Sequence, residues 1–114
     1  ILQPLVENAI YHGIKEKKEG GLIRVSAVKQ AAAGGDVIRL EVWDNGVGIP
    51  KDKLKAINEG LKNGTKEEKE GYGIYNVNER VMIYYGNAYG LHYDSVEGEY
   101  TRAVLIIPVS YREE

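Results

Sequence analysis

A carboxylate followed by two glycines stands near the middle of the chain, in Asp44-Asn45-Gly46-Val47-Gly48-Ile49-Pro50. An acid at a strand end, with small residues after it, suits a planar ligand that lies close to backbone. Gly71-Tyr72-Gly73-Ile74 opens a later helical pattern. Free backbone N–H groups and the positive end of a helix dipole at such a start suit an anion. Asn8 and His12 stand one helical turn apart on an early amphipathic stretch, a spacing that lets both look at one ligand.

Three familiar readings of these glycines and acids fail on spacing. No G-x-x-x-x-G-K-[ST] loop occurs anywhere in the chain. A dinucleotide fingerprint wants a third small residue, whereas Gly46-Val47-Gly48 is followed by Ile49-Pro50-Lys51 and Gly71-Tyr72-Gly73 by Ile74-Tyr75-Asn76. An EF-hand starting at Asp44 needs glycine and glutamate where Ile49 and Lys55 stand.

The elements that must position these residues follow from periodicity. Leu2, Leu5, Val6, Ala9, Ile10 and Ile14 recur at spacings of three and four, which predicts an amphipathic helix over 1–18. Pro4 is tolerated in its first turn, and Gly20-Gly21 ends it. Beside the apolar face runs a second stripe, Pro4, Asn8, Tyr11, His12 and Lys15. Residues 22–30 and 37–43 alternate and predict two antiparallel strands joined through Gly34-Gly35, with Ile38, Leu40 and Val42 toward the core and Arg39 and Glu41 outward. Trp43 is expected to pack at the sheet end rather than to wall a ligand. Leu54, Ile57 and Leu61 space a short helix after Pro50.

Residues 62–72 then carry almost nothing to bury, which predicts a lid that orders around a ligand. A helix over 73–85, ended by Gly86, and two further strands turning at Glu97-Gly98 complete the chain. The expected fold is α+β, a two-layer α/β sandwich with helices on one face of a mixed, largely antiparallel sheet.

Composition sets the bounds. The 114 residues fit one domain, 1–114, and 43% hydrophobic with 28% charged residues is the balance of a globular protein. Fifteen basic residues against seventeen acidic ones are scattered along the chain, which leaves nucleic acid without a footprint. The absence of cysteine excludes a disulfide framework, a thiolate metal site and a cysteine nucleophile. The chain starts without methionine, directly in a helical pattern and with no signal-peptide layout, as expected of a piece of a longer protein.

An asparagine on an early helix, a D-x-G-x-G turn, and a G-x-G helix start after a variable segment resemble the three nucleotide boxes of the GHKL, or Bergerat-fold, superfamily of gyrases, heat-shock chaperones, histidine kinases and mismatch-repair ATPases. The chain is most similar to the ATP-binding catalytic domain of sensor histidine kinases of the LytS/YesM type. Leu2-Gln3-Pro4-Leu5-Val6-Glu7-Asn8-Ala9 with His12-Gly13 carries that likeness, and so does Gly71-Tyr72-Gly73-Ile74 with Asn76-Val77 and Glu79-Arg80. It covers essentially the whole chain.

The resemblance implies that Asp44 accepts a hydrogen bond from the adenine amino group of ATP and that Gly46 and Gly48 let the base approach. Asn8 is implied as a ligand of Mg2+, an ion otherwise held by water and phosphate oxygens. Gly71 and Gly73, with Ile74 beside them, are implied around the phosphates. His12 matches a ring position near the base, and Thr101 roughly matches a hydroxyl residue on a late strand near the adenine. The implied function is donation of the γ-phosphate to a histidine on a separate, upstream dimerisation domain, absent here, in a two-component phosphorelay with a response regulator downstream. The implied setting is the cytoplasmic part of a membrane-anchored sensor.

Departures shape this expectation. Tyr11 replaces a basic residue common in classical histidine kinases, and Pro4 stands where hydrolysing members carry the glutamate that activates water. Glu7 is about a quarter turn away from that place. Fast hydrolysis is therefore disfavoured, while transfer to an external nucleophile stays open. An anti-sigma-factor type serine kinase, or a non-catalytic nucleotide-responsive module, is the alternative.

Overall fold

The computed structural model describes residues 2–14, 20–64, 74–86 and 88–109, apart from the side chains at positions 2 and 12. Its elements follow the predicted order: α1 (Leu2–Asn8) continued by a π-helical turn (Ala9–Ile14), β1 (Ile23–Gln30), β2 (Val37–Asp44), α2 (Lys51–Lys62), α3 (Ile74–Tyr85), β3 (Gly90–Val96) and β4 (Tyr100–Pro108). The sheet order is β1-β2-β4-β3, and every pairing is antiparallel. The sequence expectation of a mixed sheet thus resolves, among the described residues, into one with no parallel pair.

Alternation puts Val42, Ala103 and Leu105 on the face that meets the helices. There they pack with Leu5 and Ala9 of the first helix, Ile57 and Leu61 of α2, and Ile74 and Val81 of α3. Tyr75 and Tyr93 join this cluster. Each large aliphatic side chain buried here is worth about 1.5–3 kcal/mol, which is why short helices of modest intrinsic propensity hold in this layer.

On the opposite face Arg39, Glu41, Arg102 and Asp94 form a chain of ion pairs at 2.9, 3.5 and 3.2 Å. Val104 lies on this face too and is fully buried. Trp43 lies on this outer side as well, with the Arg24 guanidinium 4.9 Å from its ring centre. It stacks with Arg24 there, on the face away from the helices.

Two differences from the expected pattern have physical causes. The first helix does not keep a 3.6-residue repeat: at Ala9 it widens into a π turn. That extra residue per turn rotates Ile10, predicted on the apolar face, out to 43% exposure. In β1, Val25 lies opposite Val42 and so shares the core face, yet it is 49% exposed because β1 is an edge strand that the described helices do not reach across.

The other edge is closed by side chains. Asn58 of α2 donates to the Tyr93 carbonyl and accepts from the Tyr93 N–H, both at 2.8 Å, as a neighbouring strand would. Asn78 of α3, 1% exposed, accepts from the Leu91 N–H and donates to the Leu61 carbonyl, both at 2.9 Å. Together they satisfy edge groups of β3 that would otherwise be left without partners under the helices.

Candidate functional site

The π turn explains the shape of the site. By widening the helix it carries Gly13 against the end of β2, where a Cβ on Gly13 would meet Asp44 Oδ1 at 2.5 Å. A Cβ on Gly46 would in turn run into the Gly13 carbonyl, and the Val47 N–H donates to that same oxygen at 3.1 Å. Gly48 has φ +74° and would drive a Cβ into the Val96 carbonyl, so both space and conformation demand glycine there. The two glycines of the central motif thus make room for the chain's own backbone. Further bonds pin the loop: Asn45 pairs with Leu22 through its backbone N–H and its side-chain oxygen, and the Gly98 N–H donates to the Val47 carbonyl at 2.6 Å.

This packing leaves a narrow cleft between the first helix and the sheet, with a cavity volume of about 20 Å3, that opens to solvent. Leu5, Ala9, Val42, Ile49 and Ala103 give it apolar walls, and Asn8, Asp44 and Thr101 supply its polar groups with Tyr93 nearby. An apolar cleft with a few convergent polar groups is the usual form of a small-molecule site.

Each polar group is held in a state that a ligand can use. Asp44 is 2% exposed, and its Oδ1 accepts a hydrogen bond from the Gly46 N–H at 2.9 Å. Burial pushes its carboxyl above the ordinary value, and the Gly46 bond offsets this in part. Asn8 is half-buried on α1, and its amide nitrogen is sealed from solvent with no hydrogen-bond partner among the described residues. An unsatisfied buried donor costs about 1–3 kcal/mol, which an incoming acceptor returns. Thr101 sits directly opposite Asp44 in the β2–β4 register, so their side chains share a face at the pocket.

The structure therefore brings together Asn8, Asp44 and Thr101 of the residues marked in the sequence. Gly46 and Gly48 shape the loop beside them, whereas Ile74 is 1% exposed within the hydrophobic core and does not line the pocket. Gly71, Gly73, the His12 side chain and the lid from residue 65 on lie outside the described residues. Lys62 closes α2 rather than opening the lid. Glu7 is exposed and accepts a bond from Gln3 Nε2 at 3.0 Å.

Sequence reasoning quoted Gly13 as part of the likeness but gave it no role, and it missed Ser95. A glycine inside a helical pattern was the signal for the first. Nothing marked Ser95, whose hydroxyl holds the Ile49 N–H at 2.8 Å and so fastens the motif loop to β3.

Comparison with known proteins agrees with this geometry. The family of histidine kinase-, DNA gyrase B-, and HSP90-like ATPases matches residues 1–111. The sensor protein LytS of Streptococcus mutans is 34% identical over 96 residues, which are 84% of this chain and 16% of that protein. The sensor histidine kinase/phosphatase LytS of Staphylococcus aureus is 33% identical over 114 residues, the whole of this chain and 18% of that protein. The chain thus spans less than a fifth of the length of these relatives. Among solved structures, the histidine kinase domain from Erythrobacter litoralis EL346 blue-light activated histidine kinase matches with a TM-score of 0.60 at 19% identity, over 95% of this chain and 44% of that one. At that identity the likeness concerns the fold.

Proposed function

Since the chain belongs to the histidine kinase-, DNA gyrase B-, and HSP90-like ATPase family, we propose that it is the catalytic domain of a two-component sensor kinase, binding Mg·ATP and donating the γ-phosphate to a histidine on a separate dimerisation domain. The observation that carries this reading is the pairing, in one pocket, of a buried Asp44 carboxyl group with a sealed Asn8 amide nitrogen that has no partner among the described residues.

In this reading Asp44 accepts from the exocyclic amine of adenine, and a 6-oxo purine is refused because it sets a second acceptor against the carboxylate. Leu5, Ala9, Val42 and Ala103 provide the apolar surface on which a ring lies. The Asn8 amide fits a hard cation and a phosphate together, since its oxygen is a neutral ligand and its nitrogen a donor. When bound, Mg2+ supplies neutralisation of charge on the phosphate oxygens. The phosphate role that the resemblance implies for Gly71 and Gly73 falls outside the described residues.

With Pro4 in place of the water-activating acid, and Glu7 turned to Gln3 on the surface, the described part of the first helix offers no base for water. Phosphoryl transfer to an external nucleophile needs mainly position and charge stabilisation, which the pocket offers. A response regulator as the onward acceptor, a membrane anchor in the parent protein and a cytoplasmic position for this part belong to the same proposal. Among the described residues no helix is long and apolar enough to cross a bilayer.

The test is to incubate the full-length protein with γ-labelled ATP and Mg2+ and to assay the stability of the protein-bound label. A phosphoramidate, labile to acid and stable to base, is expected. Acid-stable label would point instead to a serine kinase, and tight ATP binding without any label to a nucleotide-responsive module.

A further inference from the structure

Ile23, Asp44, Thr101 and Ser95 form one row across all four strands. Asp44 and Thr101 line the pocket, while Ser95 sits behind Thr101 and does not line it. The Ser95 hydroxyl has three neighbours: the Tyr100 carbonyl at 2.6 Å, the Ile49 N–H at 2.8 Å and the Thr101 hydroxyl at 3.0 Å. Two of these contacts have only one possible direction. A carbonyl cannot donate, so Ser95 gives its single proton to Tyr100; an amide N–H cannot accept, so Ser95 takes the Ile49 proton. With its proton committed, Ser95 can only accept from Thr101.

Thr101 then has no proton left for the pocket. Thr101 lines the pocket beside Asp44, and its hydroxyl oxygen has only lone pairs to offer a ligand there. We infer that Ser95 is a positioning residue for base selection: by holding the Thr101 proton it sets the Asp44–Thr101 row as an all-acceptor edge, which takes a 6-amino purine and refuses a 6-oxo purine. The inference rests on the nucleotide reading above and adds the residue that fixes the polarity of the site.

The outcome is read as the ratio of affinities for ATP and ITP, which differ in the amino or oxo group at the 6-position and in the proton that ITP carries on N1. In Ser95→Ala the Thr101 hydroxyl is free to turn and donate into the pocket, so the penalty on ITP shrinks and the ATP/ITP ratio falls by roughly three- to tenfold, the worth of one hydrogen bond. Ser95→Thr, which keeps the hydroxyl, restores the ratio. In a Thr101→Val background, Ser95→Ala changes the ratio no further, because its effect runs through Thr101. Loosening of the Ile49 loop alone weakens both nucleotides together and leaves the ratio in place, so an unchanged ratio in Ser95→Ala overturns the inference. Should Ser95→Ala fail to fold, Ser95→Cys keeps the size with only a weak acceptor and is read the same way. A parent chain that binds neither nucleotide overturns the function itself, whereas a parent that prefers ATP with an unaltered variant overturns only the role of Ser95.

Discussion

At the residue scale the site is a set of groups kept poorer in partners than folding alone would leave them. Asp44 shows the consequence for pH. Its carboxyl is pushed above the ordinary carboxylate value of 3.8, so the folded chain holds that proton more firmly than the unfolded chain does. Stability therefore falls as pH rises from the ordinary value through the raised one, and above it the buried charge is a standing cost. Asp44→Asn keeps an oxygen for the Gly46 N–H and removes the charge. The variant is expected to melt higher than the parent at neutral pH, with the difference closing as pH falls below the ordinary carboxylate range. Thermal melts of both proteins across pH check this, and a difference that is flat with pH would show that burial of the charge is not its cause.

Asn8 yields the companion prediction. Asn8→Ala removes an amide whose nitrogen has no partner among the described residues, so it should cost little stability. It should also abolish the gain in ATP affinity that Mg2+ provides while adenosine binding stays nearly intact. Titrations with and without Mg2+ decide it; an undiminished metal effect in the variant would move the ion elsewhere.

At the element scale the decisive feature is the π turn, and it was not legible. Apolar spacing fits a regular helix equally well over 1–14, and the period only breaks because Gly13 must reach Asp44 and Gly46. That demand comes from β2, some thirty residues away, and no local pattern carries it. The motif glycines were legible as glycines that matter, but their reason was not: the bulk they avoid is the chain's own backbone. Gly46→Ala should therefore destabilise the free protein by about 1–3 kcal/mol, because the group it meets is the Gly13 carbonyl rather than a side chain able to swing away. Chemical denaturation measures it, and a variant as stable as the parent would mean that the close approach relaxes without cost.

The helix asparagines teach the same lesson. Asn58 and Asn78 read as weak helix residues in sequence, yet they close the β3 edge. Replacing Asn78 with alanine leaves the Leu91 N–H and the Leu61 carbonyl without it and should cost at least roughly 2 kcal/mol. A loss well below that in the same denaturation experiment would mean that water replaces the amide at that edge.

At the scale of the whole molecule the layer order, the strand count and the face that each strand turns to the helices were readable, because periods of two and 3.6 are fixed by backbone geometry. The strand order β1-β2-β4-β3 and the exposure of Val25 were not, since which strands sit at an edge is decided by pairings between distant segments. Of the site, Asp44 and Asn8 were marked by residue type and spacing, and Thr101 by the motif resemblance. Ser95 became visible only when β3 and β4 paired and set it beside Thr101.

The same pairing places an acceptor edge at one end of an apolar pocket, and the central claim is that this edge reads adenine. Calorimetric titration of the chain with Mg·ATP and with Mg·GTP, in the parent and in Asp44→Asn, tests it most directly. The account predicts that the parent binds ATP in preference to GTP and that the variant loses about 1–3 kcal/mol of ATP binding. Equal affinity of parent and variant for ATP, or a parent that takes GTP as well as ATP, would contradict it.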